Sequence, residues 1–275
     1  MKPAPFAYLR AETIEEALAA LAAHGDEARV LAGGQSLVAM LNMRLAQPSV
    51  LVDVMRLPAL AEIAVEGDAL VIGAGVRQAG ALARPSLAEE VPLLAACLPW
   101  VGHYQTRARG TLCGSVAHAD PSAEIPLCLA ALGGTIRLRS SRRRRVVAAA
   151  DFFLGTMQTA RAEDELIEAI TLPLRRPGSG HAFAEIGRRH GDFAITACAA
   201  VAHADGFRLA VGGVADRPVA RDFPALDGSA IDDALNAFAW SLDARDDLHA
   251  TARYRRDLVR RMGRAVIEEA RACRN

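Results

Sequence analysis

The chain has 275 residues, enough to bury a sizeable core as two domains or as one domain with subdomains. With 52% hydrophobic and 23% charged residues it has an ordinary globular composition, and no apolar stretch approaches the roughly 18–20 residues of a membrane span. Lys+Arg and Asp+Glu are equal at 32 each, so nothing favours nucleic acid or another polyanion as partner.

Lys2 is the only lysine, which excludes an internal P-loop lysine and a lysine Schiff base. The five cysteines, Cys97, Cys113, Cys128, Cys198 and Cys273, are widely separated and none forms a C-x-x-C. No iron–sulfur or structural zinc site is therefore expected from this chain. An odd number of thiols, behind a start (Met1-Lys2-Pro3-Ala4-Pro5-Phe6) without an apolar signal core, predicts a cytoplasmic protein.

In chain order, Thr13-Ile14-Glu15-Glu16 predicts a capping box opening a helix to about residue 23, ended by His24-Gly25-Asp26. A strand follows over 29–32, then Gly33-Gly34-Gln35-Ser36, then a helix-like segment over 37–45. Adjacent glycines remove Cβ atoms where a ligand must touch the backbone, and successive N–H groups there form an anion-binding nest. With a helix behind it, that is the chemistry that holds a pyrophosphate. A plain strand-to-helix turn has the same signature.

Strands are predicted over 51–54 and 70–72, and partial helix over 85–100, broken by Pro92 and Pro99. Gly73-Ala74-Gly75 resembles the start of a dinucleotide fingerprint, but Gln78 stands where the next glycine is required. A strand-end turn is the better reading. The second informative segment is Arg109-Gly110-Thr111-Leu112-Cys113-Gly114-Ser115-Val116-Ala117-His118-Ala119-Asp120-Pro121-Ser122-Ala123-Glu124. Small hydroxyls and a glycine suit close approach to phosphate or ribityl oxygens, and a carboxylate further on suits a polyol.

A helix over 125–132 precedes strands over 135–138 and 146–148, whose arginine-rich connection, Ser140 to Arg145, reads as a solvated hairpin tip. A strand over 165–172 closes at Pro173. Arg175-Arg176-Pro177-Gly178-Ser179-Gly180 is the best linker candidate. Two strands over 194–201 and 207–212 flank an Asp205-Gly206 turn, and 230–273 is mainly helical. His103, His118, His181, His190 and His203 show no metal-ligand spacing, and no Ser-His-Asp arrangement is readable.

The two glycine-bearing segments together resemble the flavin-binding loops of the FAD-binding medium subunit of molybdenum hydroxylases, the xanthine dehydrogenase and carbon monoxide dehydrogenase medium-subunit family. That family reads A-G-G-Q/H-S-L in the first loop and T-I-G-G-S/N-x-x-x-A-D-P-x-x-E/D in the second. Leu51-Val52-Asp53-Val54, Asp151-Phe152-Phe153-Leu154-Gly155, Arg188-Arg189-His190-Gly191-Asp192-Phe193-Ala194 and Ala252-Arg253-Tyr254-Arg255-Arg256 are also similar, in order, along nearly the whole chain.

The resemblance implies an α+β fold: a two-subdomain FAD-binding domain of the vanillyl-alcohol-oxidase-like (PCMH) type over 1–175, with subdomains of about 1–57 and 58–175. A smaller sheet-plus-helices domain would follow over 178–275. It implies that Ala32, Gly33, Gly34, Gln35 and Ser36 wrap the pyrophosphate through backbone N–H groups, with Arg29, Val30 and Leu31 lining the approach. Thr111, Gly114 and Ser115 would lie on the other side of the cofactor, and Glu124 would receive ribityl hydroxyls. Val101, His118 and Ile167 would add apolar or edge contacts, and Asp120 would fix its loop before Pro121.

Three departures stand out. Cys113 replaces the first glycine of the family's second Gly-Gly pair, Ala108 stands where many members have Asn, and Ala184-Glu185 occupies a stretch where some members place a lysine near the flavin. No residue is expected to act on substrate. The implied role is a non-covalent FAD relaying electrons from the [2Fe-2S] clusters of a small iron–sulfur subunit to an external acceptor. A large subunit would hold the molybdenum cofactor, in a dimer of heterotrimers. Two alternatives stay open: a self-sufficient flavin oxidase, for which about a hundred residues after Pro177 make a small substrate cap, and a scaffold subunit that has lost FAD.

Overall fold

The computed structural model describes residues 2–274. The first unit is β1 (Ala7–Arg10), α1 (Ile14–His24), β2 (Ala28–Leu31), α2 (Leu37–Asn42) and β3 (Val50–Asp53). All three strands are parallel, in the order β1-β3-β2, so the apolar run Val50-Leu51-Val52 sits centrally and is buried. Thr13 caps α1 by accepting from the Glu16 N–H at 3.1 Å. The Glu16 carboxylate accepts in return from Glu12 N–H (2.7 Å), one residue earlier than the capping box predicts.

The second unit runs through β4 (Ile63–Glu66), β5 (Ala69–Gly73), α3 (Gln78–Leu82), α4 (Leu87–Glu90), α5 (Pro92–Cys97), α6 (Tyr104–Arg109), α7 (Leu112–His118) and α8 (Glu124–Leu132). It continues with β6 (Thr135–Arg139), β7 (Arg144–Ala148), α9 (Ala149–Phe152), a small hairpin of β8 (Phe153–Gly155) and β9 (Gln158–Thr159), and β10 (Leu166–Pro173). Its sheet is antiparallel in the order β4-β5-β10-β6-β7. The arginine-rich β6–β7 tip is a hairpin whose charges answer acids on β10 and just before it: Arg145 grips the buried Glu165 at 2.7 Å, and Arg142 and Arg144 reach Asp164 and Glu168 at 3.5 Å. Gly73 is a packed strand-end residue; a Cβ there would overlap the Leu60 carbonyl.

The third unit is a meander, β11 (Gly180–Ile186), β12 (Thr196–Ala202), β13 (Gly206–Gly212) and β14 (Val219–Pro224), followed by α10 (Ser229–Ser241) and α11 (Ala252–Ala272). Its two faces bury different surfaces. Ala182, Cys198, Ala200, Leu209 and Val211 join Leu235, Phe238, Val259 and Val266 of α10 and α11 in one core. Phe183, Ala197, Ala199, Val201 and Ala210 point the other way, into the core shared with the first two units. Strand alternation thus sandwiches the sheet, and alanines on the inner face let α8 and α5 lie close to it.

Several elements differ from expectation. The segment behind Ser36 is helical only to Asn42, and β1, β4, β8, β9, β11, β14, α3, α6, α7 and α9 are not among the expected elements. The 175–180 connection is tightly fixed rather than loose: Ser179 is buried and donates to Arg176 O at 2.6 Å, and a Cβ on Gly180 would overlap the Ala270 carbonyl.

Candidate functional site

The first glycine pair leaves the carboxyl end of β2 and turns into α2. Gly34 has φ +72°, a left-handed conformation that a side chain disfavours. Gly33 is needed for a different reason: a Cβ there would overlap the Arg109 carbonyl, so the first loop is pressed against the start of the second motif. The fold therefore requires both glycines for its own reasons, in addition to leaving the backbone open to a ligand. Among the described residues, the N–H groups of Gly33, Gly34, Gln35 and Ser36 donate to no protein acceptor. The loop is half-exposed, so these donors form a row that anionic oxygens can reach. Ser36 precedes α2 without capping it, and α2 is only six residues long, so the donors rather than a helix dipole carry the anion argument.

The second motif is built differently. Leu112 to His118 form a helix, and Thr111 caps it: its hydroxyl accepts from Gly114 N–H at 3.0 Å. A Cβ on Gly114 would lie 2.7 Å from that oxygen, so the cap itself explains the glycine. Cys113 sits in the first turn of α7 with an ordinary backbone. Its thiol is buried, 3.6 Å from the Ile72 carbonyl, and burial pushes its pKa up to about 12. The departure at Cys113 therefore places a sulfur in the core beneath β5 and leaves the loop geometry undisturbed. Ala119 follows in the left-handed region, and Asp120 accepts from Ser122 N–H at 2.8 Å, a turn closed over Pro121. Pro121 in turn accepts from Gly213 N–H (2.8 Å), fastening the motif to the third unit.

Glu124 opens α8 and is 3% exposed. Burial lifts its pKa to about 7; its own backbone N–H and the more distant Arg107 oppose the shift, and Asp120 adds to it. Arg107 is itself spent on three carbonyls, at 3.2 Å from Pro99 and 2.9 Å from Val101 and Gly102.

The other expected residues are placed unevenly. Val30 and Ala32 flank the shared core, Leu31 lies beside Gly34, and Ser115 and His118 are half-exposed on α7. The Arg29 guanidinium turns back onto the Asp26 and Ala28 carbonyls at 2.5 and 2.9 Å. Val101 and Ile167 are core residues, Ile167 at a register shift in β10. Glu185, which motif matching did not single out as a ligand, is buried on the inner face of β11. Only the pairing of β11 with β12 reveals where it points. A cleft of about 540 Å³ opens between Pro121–Ser122 and the third unit, walled by Arg188, Asp192, Phe193 and Arg255. Among the described residues no group of three or more His, Cys, Asp or Glu is placed to hold a metal, and no helix is long and apolar enough to cross a membrane.

Comparison with known proteins accounts for this arrangement. A family model described as "FAD binding domain in molybdopterin dehydrogenase" matches residues 4–175, and one described as "CO dehydrogenase flavoprotein C-terminal domain" matches 181–270. The chain is 37% identical to the nicotine 6-hydroxylase medium subunit of Paenarthrobacter nicotinovorans, covering 99% of both. It is 35% identical to the 6-hydroxypseudooxynicotine dehydrogenase complex subunit alpha of the same organism, covering 98% of this chain and 96% of the relative. The structure superposes on a chain of carbon monoxide dehydrogenase from Hydrogenophaga pseudoflava with a TM-score of 0.95, 32% identity and full coverage of both chains. The α+β architecture, an FAD-binding domain followed by a smaller C-terminal domain, is common to them. The chain belongs to the FAD-binding medium subunits of the molybdenum hydroxylase family and is an oxidoreductase subunit.

Proposed function

We propose that this chain holds FAD non-covalently as the electron relay of a multi-subunit molybdenum-containing hydroxylase or dehydrogenase. The observation that carries the reading is the row of unused N–H donors at Gly33–Ser36, fixed in place by the Gly33 contact with Arg109. Such a row matches a pyrophosphate in charge and geometry. In this reading residues 32–36 hold the pyrophosphate, and Ser115, His118 and Glu124 approach the cofactor from α7 and the head of α8. Thr111 and Gly114 act by shaping that helix, whereas Val101 and Ile167 back the site from the core. Arg29 lines the approach, with its Nη1 anchored on the Asp26 and Ala28 carbonyls. Residues 1–175 and 178–275 are taken as the two domains.

When bound, FAD supplies the conversion between one-electron and two-electron transfer. The chain's own residues bind it, orient it and exclude water. Electrons would come from [2Fe-2S] clusters in a small partner and ultimately from a molybdenum-cofactor subunit, in a cytoplasmic dimer of heterotrimers. A self-sufficient oxidase is less well supported, because both faces of the C-terminal sheet are already covered, by α10 and α11 and by α5 and α8. Purification from the native host tests the reading. The expected result is a yellow complex containing molybdenum and iron; a homo-oligomer free of both metals that still oxidises substrate would overturn it.

A further inference from the structure

Among the described residues one buried carboxylate oxygen, on Glu185, has no hydrogen-bond partner. Glu185 lies on β11 opposite Ala197 of β12, and Ala197 belongs to the core facing the FAD-binding domain. By strand alternation Glu185 shares that inner face with Phe183, while Ala184 and Ile186 face α10 and α11. The side chain therefore projects into the seam between the domains, where β11 meets α5 and the sheet meets α8.

Glu185 is 9% exposed, and its Oε2 is buried without a hydrogen-bond partner among the described residues. A carboxylate in that position requires a cation or several donors. Among the described residues the charge that acts on it is that of Glu124, at the head of α8, which is negative and supplies neither. Both glutamates act in turn on Cys97, which ends α5 and interacts with Cys128 of α8. Both thiols are buried, and the Cys97 thiol is held protonated by its hydrogen bond with Cys128, by burial and by the two glutamates. Among the described residues the cation that acts on Glu124 is Arg107, already committed to three carbonyls, and Asp120 adds a further negative charge.

Two buried carboxyls without a dedicated cation do not both ionise near neutral pH, because the second charge has no compensation. We propose that Glu185 completes the flavin site opposite Glu124 as its proton-bearing carboxyl, staying a neutral acid while Glu124 is the acceptor, so that FAD enters a pocket with one buried negative charge instead of two. Glu124 opens α8, where its own backbone N–H, the start of the helix and Arg107 favour its charge. Glu185 Oε2 has no such donor, so of the two it is the carboxyl that keeps its proton, burial and the charge on Glu124 raising its pKa to about 8. The inference rests on the assignment of Glu124 to FAD.

The consequence is a bell-shaped dependence of FAD affinity on pH. Below about pH 7 Glu124 is protonated in the apo chain and must lose its proton to act as a charged acceptor for a cofactor hydroxyl, so affinity rises with pH, by up to about tenfold per unit. Above about pH 8 Glu185 ionises, and affinity falls as the second charge appears. Glu185→Gln keeps shape and neutrality, so it should bind FAD, preserve the rising limb and abolish the falling limb. Glu124→Gln should abolish the rising limb.

The test is titration of the full-length apo chain with FAD, followed by flavin fluorescence from pH 5.5 to about 9.5, in wild type and both variants. Infrared difference spectra of wild-type protein give a reading that depends on no variant. A protonated carboxylic acid band should persist at pH 7.5 and vanish as pH is raised past 8. Tight FAD binding with a flat profile, a falling limb unchanged in Glu185→Gln, or no such infrared band overturns the inference and leaves the flavin assignment standing. No binding of FAD at any pH overturns both.

Discussion

The two glycine-bearing segments of the site use the same residue for opposite ends. In 33–36 the loop leaves four N–H groups without partners among the described residues, held still by Gly33 against Arg109 and by the left-handed turn at Gly34. In 111–115 the polar groups largely satisfy one another: Thr111 caps α7, and Gly114 is small because the capping oxygen is close. The first segment is unfinished without a ligand, and the second is finished by itself. A glycine motif therefore shows a binding site only where its donors remain unspent.

The largest expected effect breaks the first segment. Gly33→Val forces a side chain into the Arg109 carbonyl and should separate the two motifs. Overpacking of this kind costs about 1–3 kcal/mol, and flavin content should fall to near zero. Gly34→Ala should be milder, since the left-handed backbone costs an L-residue about 1–2 kcal/mol. Flavin stoichiometry and Tm measured together check both. Full flavin content in Gly33→Val would mean the interlock is irrelevant to binding.

Glu124 sharpens the comparison, because its two roles have opposite signs. Its folded pKa of about 7 lies above the ordinary carboxylate value near 4.5. A raised carboxyl destabilises the apo fold increasingly as pH climbs from about 4.5 to about 7, after which the penalty is constant. Glu124→Gln should therefore stabilise the apo chain at pH 8, by at most about 3 kcal/mol, and leave it unchanged at pH 4. The same substitution should weaken FAD binding by about 1.5–3 kcal/mol if the carboxylate accepts from the cofactor. A drop in apo stability with unchanged FAD affinity would identify it instead as a helix-terminal charge.

The second segment gives smaller effects. Thr111→Ala removes the α7 cap and should cost about 1 kcal/mol of stability, with Thr111→Ser restoring it and FAD affinity changing little. Cys113→Ala should change least: about 1 kcal/mol or less from lost core contact, and no change in flavin affinity. A large flavin effect at Cys113 would show that its sulfur reaches the cofactor.

The sequence makes the order of units legible because local signals mark their edges, such as the Thr13 cap, the Pro173 stop and the Asp205-Gly206 hairpin. The two motifs are legible because their chemistry is contiguous in the chain. The helix at Leu112–His118 was hidden because Gly114 and Ser115 read as loop residues, although Thr111 and Gly114 form a cap. The Gly33–Arg109 contact and the position of Glu185 were hidden for another reason. Each depends on which segments meet across the fold, and neither contact leaves a periodic or compositional trace in one sequence.

The most direct test follows the four free donors themselves. Isotope-labelled apo chain is titrated with FAD, and separately with inorganic pyrophosphate, while the amide resonances of Gly33, Gly34, Gln35 and Ser36 are observed. The account predicts that all four shift with FAD, that pyrophosphate moves the same four, and that the Gly114 amide, held by Thr111, moves less. Stoichiometric FAD binding that leaves those four amides in place would contradict it.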